Sequence, residues 1–275
     1  MRNFFTKSYA AYPLAALCLA AGALTGCAAQ PAAAAAEDDR PVIVVGSDTY
    51  PPYNYISEDG TPTGSDVELA EEAFGRMGYR VEFDFIDWET KNQLLENGDI
   101  DCIWDCFTMT GREDLYRWAG PYMASRQVVA VMPGSPIRSL ADLEGCTLAV
   151  QTTTKPEQLF LSGDPSLPVL RDLYSFEDRE LLYTALGKGY VDAVAAHETS
   201  ILQYMQDYGT EYRILDEPLQ TVGLGVAFSK SDTRGLDIAL NETLEEMRRD
   251  GTSAEILGRY FPDPAACLEV DGLVQ

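Results

Sequence analysis

Asp101-Cys-Ile-Trp-Asp-Cys-Phe-Thr-Met-Thr-Gly-Arg112 is the stretch around which the chain is organised. Residues 100–104 are short and apolar apart from one aspartate, which predicts a buried strand. Thr108 and Thr110 follow that strand, and Arg112 stands where its guanidinium can reach back over the strand end. Arginine binds a carboxylate through two parallel hydrogen bonds, so this combination favours a carboxylate site. The alternative is a surface arginine paired with one of the two acidic residues that follow it.

The N-terminus has the pattern of an export signal. Residues 1–26 combine a basic start with an apolar run that is too short to span a bilayer comfortably, followed by small residues. The sequence Leu24-Thr-Gly-Cys27 resembles the lipobox of bacterial lipoproteins, which implies that Cys27 carries a lipid. The alternative is an ordinary signal peptide with an incidental cysteine. Residues 27–40 have no apolar periodicity and are predicted to be a flexible tether.

Composition excludes some classes of function. The formal charge is −24, and it becomes −26 without the two basic residues of the signal. Such a charge repels phosphates and argues against nucleic acid as a partner. The chain has one histidine and no Cys-x-x-Cys pair, so we expect no metal and no other cofactor. The roughly 236 residues after the tether can form two lobes with separate cores.

The remaining cysteines allow one disulfide. Cys102 lies in the predicted strand and is expected to be a buried free thiol. Cys146 and Cys267 could pair in an exported protein, but spacing alone leaves this open.

Apolar periodicity predicts alternating strands and helices along the chain. Leu181, Leu182 and Ala185 are expected to face inward on one helix. The box Thr154-x-x-Glu157 predicts that another helix begins with a side-chain cap. The predicted strands are 42–46, 80–86, 100–104, 127–132, 147–150, 191–196 and 222–228, and the predicted helices are 64–78, 88–98, 139–143, from 154, 179–186, 236–249 and 253–260.

These stretches together resemble the bacterial extracellular solute-binding proteins of family 3. The family commonly shows "D-x-I-x-x-G", then "T/S-I-T-x-x-R", then "F-S-x-P-Y", and residues 101–122 follow that order. The resemblance extends over about residues 42–262. Two departures stand out: Cys106 replaces a usual glycine and crowds the backbone near the ligand, and the loop before Arg112 is one residue shorter.

The resemblance implies an α/β fold of two lobes, the type 2 periplasmic-binding-protein fold, with a hinge of two crossing segments. The implied boundaries are 41–124 for the first part of lobe one, 125–220 for lobe two, and 221–275 for the return to lobe one and the tail. The implied function is capture of an amino acid, or a related small amine or carboxylate, for an ABC permease in the membrane. The protein would be exported and held by its lipid on the outer face of the cytoplasmic membrane.

The resemblance also implies a ligand site between the lobes. Arg112, Thr110, Thr153 and Thr154 would hold the ligand carboxylate, although the two threonines at 153 and 154 also fit an ordinary helix cap. The resemblance implies that Tyr50, Tyr53 and Trp88 wall the side-chain pocket, with core packing as the alternative for Tyr53 and Trp88. The other expected site residues are Asp48, Asp105, Cys106 and Thr108.

The position that binds the ligand ammonium in the family is changed here. It falls on His197, with Glu198 next to it, where the family usually has an aspartate. If His197 faces the cleft, its ordinary pKa of about 6.5 makes binding sensitive to pH. Two alternatives are that Glu198 turns inward and that His197 lies outside the cleft.

Two other functions remain open at this stage. Some dehydratases of aromatic amino-acid synthesis resemble this fold, and His197, Glu198 and Asp105 are the candidates for a general acid or base. The second alternative function is that of a sensor partner, which binds the same ligands but does not take part in transport. The expectation from the resemblance is a binding protein without catalytic residues.

Overall fold

A computed structural model describes residues 38–273 of the protein. The predicted signal (1–26), the predicted lipidation site Cys27 and residues 27–37 of the predicted tether lie outside this part of the chain. Among residues 38–273, no helix has both the length and the apolar character that a membrane crossing requires.

Strands and helices alternate from the start of the described chain. The strands are β1 (Val42–Ser47), β2 (Tyr55–Ile56), β3 (Pro62–Thr63), β4 (Arg80–Phe85), β5 (Cys102–Ile103), β6 (Arg117–Val131), β7 (Thr147–Gln151), β8 (Asp172–Phe176), β9 (Ala193–His197), β10 (Arg213–Ile214) and β11 (Gln220–Phe228). The α-helices are α1 (Ser65–Arg76), α2 (Lys91–Asn97), α3 (Lys155–Leu161), α4 (Arg179–Gly187), α5 (Glu198–Tyr208), α6 (Leu236–Asp250), α7 (Thr252–Leu257) and α8 (Pro264–Cys267), with short 3-10 turns at Trp88–Thr90 and Leu140–Leu143.

Apart from β2 and β3, which pair separately as a two-stranded sheet, one nine-stranded sheet runs through most of the described chain. Its strand order is β4-β1-β5-β11-β6-β9-β7-β8, and β10 pairs with β6. The strand β6 pairs with β11 in antiparallel register from Gln127 back to Arg117, with an irregularity between Leu224 and Val226. The sequence predicted only residues 127–132 of this strand. It begins ten residues earlier because β11 pairs with it along that length.

Separate hydrophobic cores pack against the two ends of the sheet. We call "first lobe" the part whose core residues come from residues 43–123 and 222–261. We call "second lobe" the part whose core residues come from residues 128–215. The strand β6 supplies core residues on both sides of this division, and β11 pairs with it as far as Gln127, so these two strands join the lobes. The exact lobe boundaries that the sequence predicted stay a prediction.

The turn before α1 fixes where the first lobe meets the site. Gly64 has φ +128, and a Cβ there would lie 2.0 Å from the Tyr53 carbonyl oxygen, so only glycine fits. Asp66 lies in the first turn of α1 and connects the start of that helix to two neighbouring segments. Its carboxylate accepts from the Cys106 N–H at 2.7 Å and from the Tyr122 hydroxyl at 2.8 Å. Burial raises the pKa of Asp66 to about 6.

One packing prediction is wrong, one possibility that the sequence left open is not realised, and one predicted strand is shorter in the structure. Leu181 is 47% exposed, because α4 covers the second-lobe core with residues 182, 185 and 186, which lie on another face of the helix. Cys146 and Cys267 are free thiols and pack against the cores of different lobes. The predicted strand 100–104 shortens to β5, where only Cys102 and Ile103 join the ladder.

Candidate functional site

A cavity lies between the two lobes, at the ends of strands from both of them. About 480 Å³ of space between atoms lies there, open solvent included, and the centres of water-sized spheres fit into about 40 Å³ of it. The first lobe contributes the segment after β5, and the second lobe contributes the segments after β7 and β9. The lining residues are Tyr50, Trp88, Asp105, Cys106, Phe107, Thr108, Arg112, Gln127, Gln151, Thr153, Thr154, Lys155, Pro156, Arg179, Leu182, Ala195, Ala196 and His197.

Most of the residues predicted for the site line this cavity, and four do not. The lining residues among them are Tyr50, Trp88, Asp105, Cys106, Thr108, Arg112, Thr153, Thr154 and His197. Thr110 is committed elsewhere, since its hydroxyl donates to the Leu273 carbonyl and accepts from the Gly223 N–H, both at 2.9 Å. Glu198 turns away and pairs with Arg126 at 2.9 Å. The other two, Asp48 and Tyr53, lie behind the lining.

Arg112 brings a positive charge to the cavity without an anionic partner among residues 38–273. Its guanidinium donates to the Thr108 carbonyl at 3.4 Å and to the Thr153 carbonyl at 3.3 Å, both long hydrogen bonds. The Phe107 ring lies 5.1 Å from its Cζ. Burial lowers the pKa of Arg112, which stays protonated near neutral pH. The sequence alternative, a surface ion pair with the next acidic residues, does not occur.

Two lysines add to this charge. Lys91 reaches across from the first lobe, where its Nζ donates to the Trp88 carbonyl at 2.9 Å and to the Thr153 hydroxyl at 2.7 Å. Burial, and then the charge of Arg112, lower the pKa of Lys91 to about 8. The same two causes lower the pKa of Lys155. Neither lysine has a carboxylate within ion-pair distance in the described chain.

The segment after β7 differs from its predicted form. Thr153 adopts a left-handed backbone with φ 56, and its N–H donates to the Glu157 carboxylate at 2.6 Å. The Thr154 hydroxyl donates to the Gln151 carbonyl at 2.6 Å. The predicted capping box is therefore wrong. Glu157 accepts from the N–H of Thr153 instead of Thr154, and the Thr154 hydroxyl bonds to Gln151 instead of a helix N–H.

His197 is buried beside the cavity and stays neutral. Its Nδ1 lies 2.7 Å from the Ser125 hydroxyl, and its Nε2 lies 2.7 Å from the Gln127 amide nitrogen. Burial, followed by the charges of Arg179 and Arg112, lowers the pKa of His197 to about 3. Its protonation therefore does not change between pH 5.5 and 7.5, and the expected pH sensitivity from this histidine is wrong.

Among the described residues that line the cavity, Asp105 is the one with an acidic side chain. Its Oδ1 accepts from Asn54 at 2.9 Å and from Ser47 at 3.2 Å. Its Oδ2 is buried and has no hydrogen-bond partner within residues 38–273. Burial, and then the nearby charge of Asp48, raise the pKa of Asp105 to about 7. The next residue, Cys106, has a left-handed φ of 48, the conformation that a glycine adopts without strain.

Arg179 fills the space over Tyr50 and was missed by the sequence analysis. Its Cζ lies 3.1 Å from the Tyr50 ring centroid. One nitrogen donates to the Thr49 carbonyl at 2.9 Å, and another lies 3.5 Å from Asp48 and donates to Gln151. Gln151 in turn donates to Asp48 at 2.8 Å.

The aromatic residues divide between lining and support. Trp88 packs edge-on against Phe107 with ring centroids 5.4 Å apart, so it serves the first-lobe core while it lines the cavity. Tyr53 is fully buried behind Tyr50. Its hydroxyl contacts Thr199 of the second lobe.

Several residues in or directly behind the lining carried a weak signal in the sequence or none. Lys155 stands in the same stretch as the predicted threonines and could have been included with them. Lys91 and Arg179 open helices and look like ordinary surface residues. Their place at the site follows from how the two lobes meet, which the sequence pattern does not contain.

Comparison with known proteins places this geometry in context. Residues 42–263 match the family described as bacterial extracellular solute-binding proteins, family 3. The ABC transporter glutamine-binding protein GlnH of Bacillus subtilis (strain 168) is 29% identical over 240 residues, which is 85% of each chain.

Two solved structures have the same fold as the protein. One is an ancestral arginine-binding protein bound to arginine, with a TM-score of 0.73, 28% identity and coverage of 81% of this chain and 99% of that one. The other is the ancestral amino acid-binding protein AncCDT-1, a precursor of cyclohexadienyl dehydratase. Its TM-score is 0.70, with 25% identity and coverage of 80% and 95%.

Proposed function

Because the chain belongs to family 3 of the bacterial extracellular solute-binding proteins, with the type 2 periplasmic-binding fold, we propose that it captures a small carboxylate ligand for an ABC importer. The ligand is an amino acid or a related small amine or carboxylate, held between the two lobes. The protein then presents it to a permease in the membrane. The names of the relatives, which include a glutamine-binding protein of an ABC transporter, support this role.

The observation that carries the proposal is the unpaired charge of Arg112. A half-buried guanidinium without an anionic partner is costly, and a ligand carboxylate would relieve that cost through two parallel hydrogen bonds. The long contacts of Arg112 to two backbone carbonyls leave its donors available for such a ligand. In this proposal Thr108, Thr153 and Thr154 stand beside the carboxylate.

The remaining predicted residues receive supporting roles. Tyr50 and Trp88 wall the site, with Asp105, Cys106 and His197 closing it. Asp48 and Tyr53 support these walls from behind through Gln151 and Thr199, whereas Thr110 and Glu198 are bonded to partners away from the cavity. Hinge motion at the β6 and β11 crossings, near the predicted boundaries 124/125 and 220/221, would admit the ligand.

Export and anchoring belong to the same proposal. The pattern of residues 1–26 and the sequence before Cys27 support a lipoprotein held on the outer face of the cytoplasmic membrane. A tether over residues 27–40 would let the lobes approach the permease.

A ligand screen with one variant tests the proposal. Purified protein is screened by thermal shift against the twenty amino acids and small dicarboxylates, and calorimetry follows for each hit. A ligand at 100 times its Kd stabilises the fold by about 2.7 kcal/mol. Arg112→Ala should weaken binding by about 2–5 kcal/mol, which is roughly 30-fold or more, because it removes one partner of the charge pair that the ligand carboxylate would complete between the lobes.

The matched control is Arg126→Ala. Arg126 is also an arginine between the lobes, but it pairs with Glu198 away from the cavity. It should keep the wild-type affinity within about threefold, since it touches no lining charge. Equal losses in the two variants would contradict the assignment of Arg112, and a screen without any hit would contradict the binding function.

A second candidate function rests on Asp105. A buried carboxyl with a pKa of about 7 that lines a cleft has the properties of a general acid or base. The other two candidates are less suited to this role. Both ring nitrogens of His197 are hydrogen-bonded, and Glu198 turns away from the cavity to pair with Arg126. Incubation of the protein with prephenate-like acids and assay of the product separates an enzyme from a binding protein.

A further inference from the structure

One corner of the cavity has the chemistry of a cation site. The face of an aromatic ring attracts a cation, and a carboxylate beside the ring strengthens the attraction. The ring of Tyr50 forms the floor of this corner, Asp105 lines the same cavity, and Asp48 lies 3.5 Å from the guanidinium that covers the ring. A ligand with a basic side chain would place its charge at this point.

The protein already supplies the cation at this corner. Arg179 enters from the start of α4 in the second lobe, and its side chain is only 10% exposed. Its Cζ is 3.1 Å from the Tyr50 ring centroid, and its nitrogens contact Thr49, Asp48 and Gln151. These partners come from both lobes, so the guanidinium is held from both sides of the cleft.

The rest of the cavity is positive as well. Arg112 and Lys155 line it, and Lys91 lies directly behind Trp88 and Thr153. Asp105 is the carboxylate among the described lining residues, and Arg179 is close enough to act on its charge. Since one ligand carboxylate is enough for Arg112, the lysine charges are left for a second acidic group.

We propose that Arg179 is a resident cation that determines specificity: it takes the place of a basic ligand side chain, so the cleft selects carboxylic acids that carry a second acidic group and rejects arginine and lysine. This inference rests on the proposed binding function and names its ligand class. It concerns a residue that the sequence comparison with the family did not single out.

The experiment compares four probe ligands on the protein that begins after the predicted signal, residues 1–26. L-glutamate and glutarate each carry two carboxylates. L-norvaline is an amino acid of similar length with an uncharged side chain, and L-arginine has a basic side chain. Calorimetry of the wild type should give binding of L-glutamate or glutarate at least about tenfold tighter than that of L-norvaline or L-arginine. Arg179→Ala should gain about tenfold or more in L-arginine affinity, because it opens the aromatic corner.

Two further variants separate charge from loss of fold. Arg179→Lys keeps a cation at the corner and should still reject L-arginine. Arg126→Ala removes an arginine between the lobes outside the cavity and should leave the order of the four probes unchanged. Circular dichroism and thermal unfolding show whether each variant is folded. If Arg179→Ala does not fold, the inference is tested by the order of the four affinities in the wild type and by whether Arg179→Lys still rejects L-arginine.

The outcomes distinguish this inference from the proposed function. A wild type that binds L-arginine or L-norvaline more tightly than both diacids overturns the inference and leaves the binding function intact. A folded Arg179→Ala that gains nothing for L-arginine also overturns it. If neither these probes nor the wider amino-acid screen gives binding, the proposed function falls together with the inference.

Discussion

Asp105→Asn should change the pH dependence of stability in a defined direction. The pKa of Asp105 is raised from 3.8 to about 7 by burial and by Asp48, so the folded state holds a proton that the unfolded state releases above pH 4. This carboxyl therefore stabilises the fold least at high pH. Its unfavourable effect begins near pH 4, grows as the pH rises, and is complete above pH 7.

The size of the effect follows from those two pKa values. At about 1.4 kcal/mol for each pKa unit, the cost of Asp105 rises by roughly 2–3 kcal/mol between pH 5 and pH 8. An asparagine carries no charge at either pH. The variant should therefore gain that amount relative to the wild type between the two pH values. Any fixed cost of placing an amide against the unpartnered Oδ2 position cancels in the comparison.

Denaturant unfolding of both proteins at pH 5 and pH 8 measures this difference. Asp192→Asn is the matched control, because hydrogen bonds from Thr147 lower the pKa of Asp192. That carboxyl is ionised in both folded and unfolded states above pH 5. Its replacement should cost the same at both pH values. An Asp105→Asn difference that is also constant would refute the account of Asp105 as a protonated buried carboxyl.

Two further predictions concern the ligand and the membrane. His197→Asp places a carboxylate where Ser125 and Gln127 can both donate to it and where a ligand ammonium could pair with it. L-glutamate has an ammonium group and glutarate has none, so the ratio of L-glutamate to glutarate affinity at pH 7.5 should rise by about tenfold. An unchanged ratio in calorimetry would remove position 197 from ammonium recognition. Cys27→Ser removes the predicted lipid attachment atom, so the variant should leave the membrane fraction on cell fractionation, whereas retention there would contradict the lipobox interpretation.

The sequence was a good guide wherever local pattern determines structure. The strand 42–46, the helix that begins at residue 65 and the strand 222–228 all appear within two residues of the prediction. The fold class is also confirmed, because residues 42–263 match the family that the motifs of residues 101–122 predicted and a solved structure shares the fold with a TM-score of 0.73.

The site was less predictable, because its charges come from distant segments. The unpaired Arg112 follows a motif and was found, but Arg179 lies 67 positions later and has no motif around it. Its burial depends on Tyr50 and Asp48 from the opposite lobe. The pKa of His197 likewise depends on burial and on two arginines, so its ordinary value was a poor guide.

The position of β11 within the sheet constrains the order in which the protein can fold. In the first lobe β11 lies between β5 and β6, so the sheet there is incomplete until residues 220–228 have been synthesised. The core of the second lobe uses only residues 128–215, which form one continuous segment. Contacts close in sequence form faster than distant ones. A nascent chain can therefore complete its second lobe while residues 42–123 are still waiting for their central strand. During that interval the edge of β5 is unpaired and open to association with other chains.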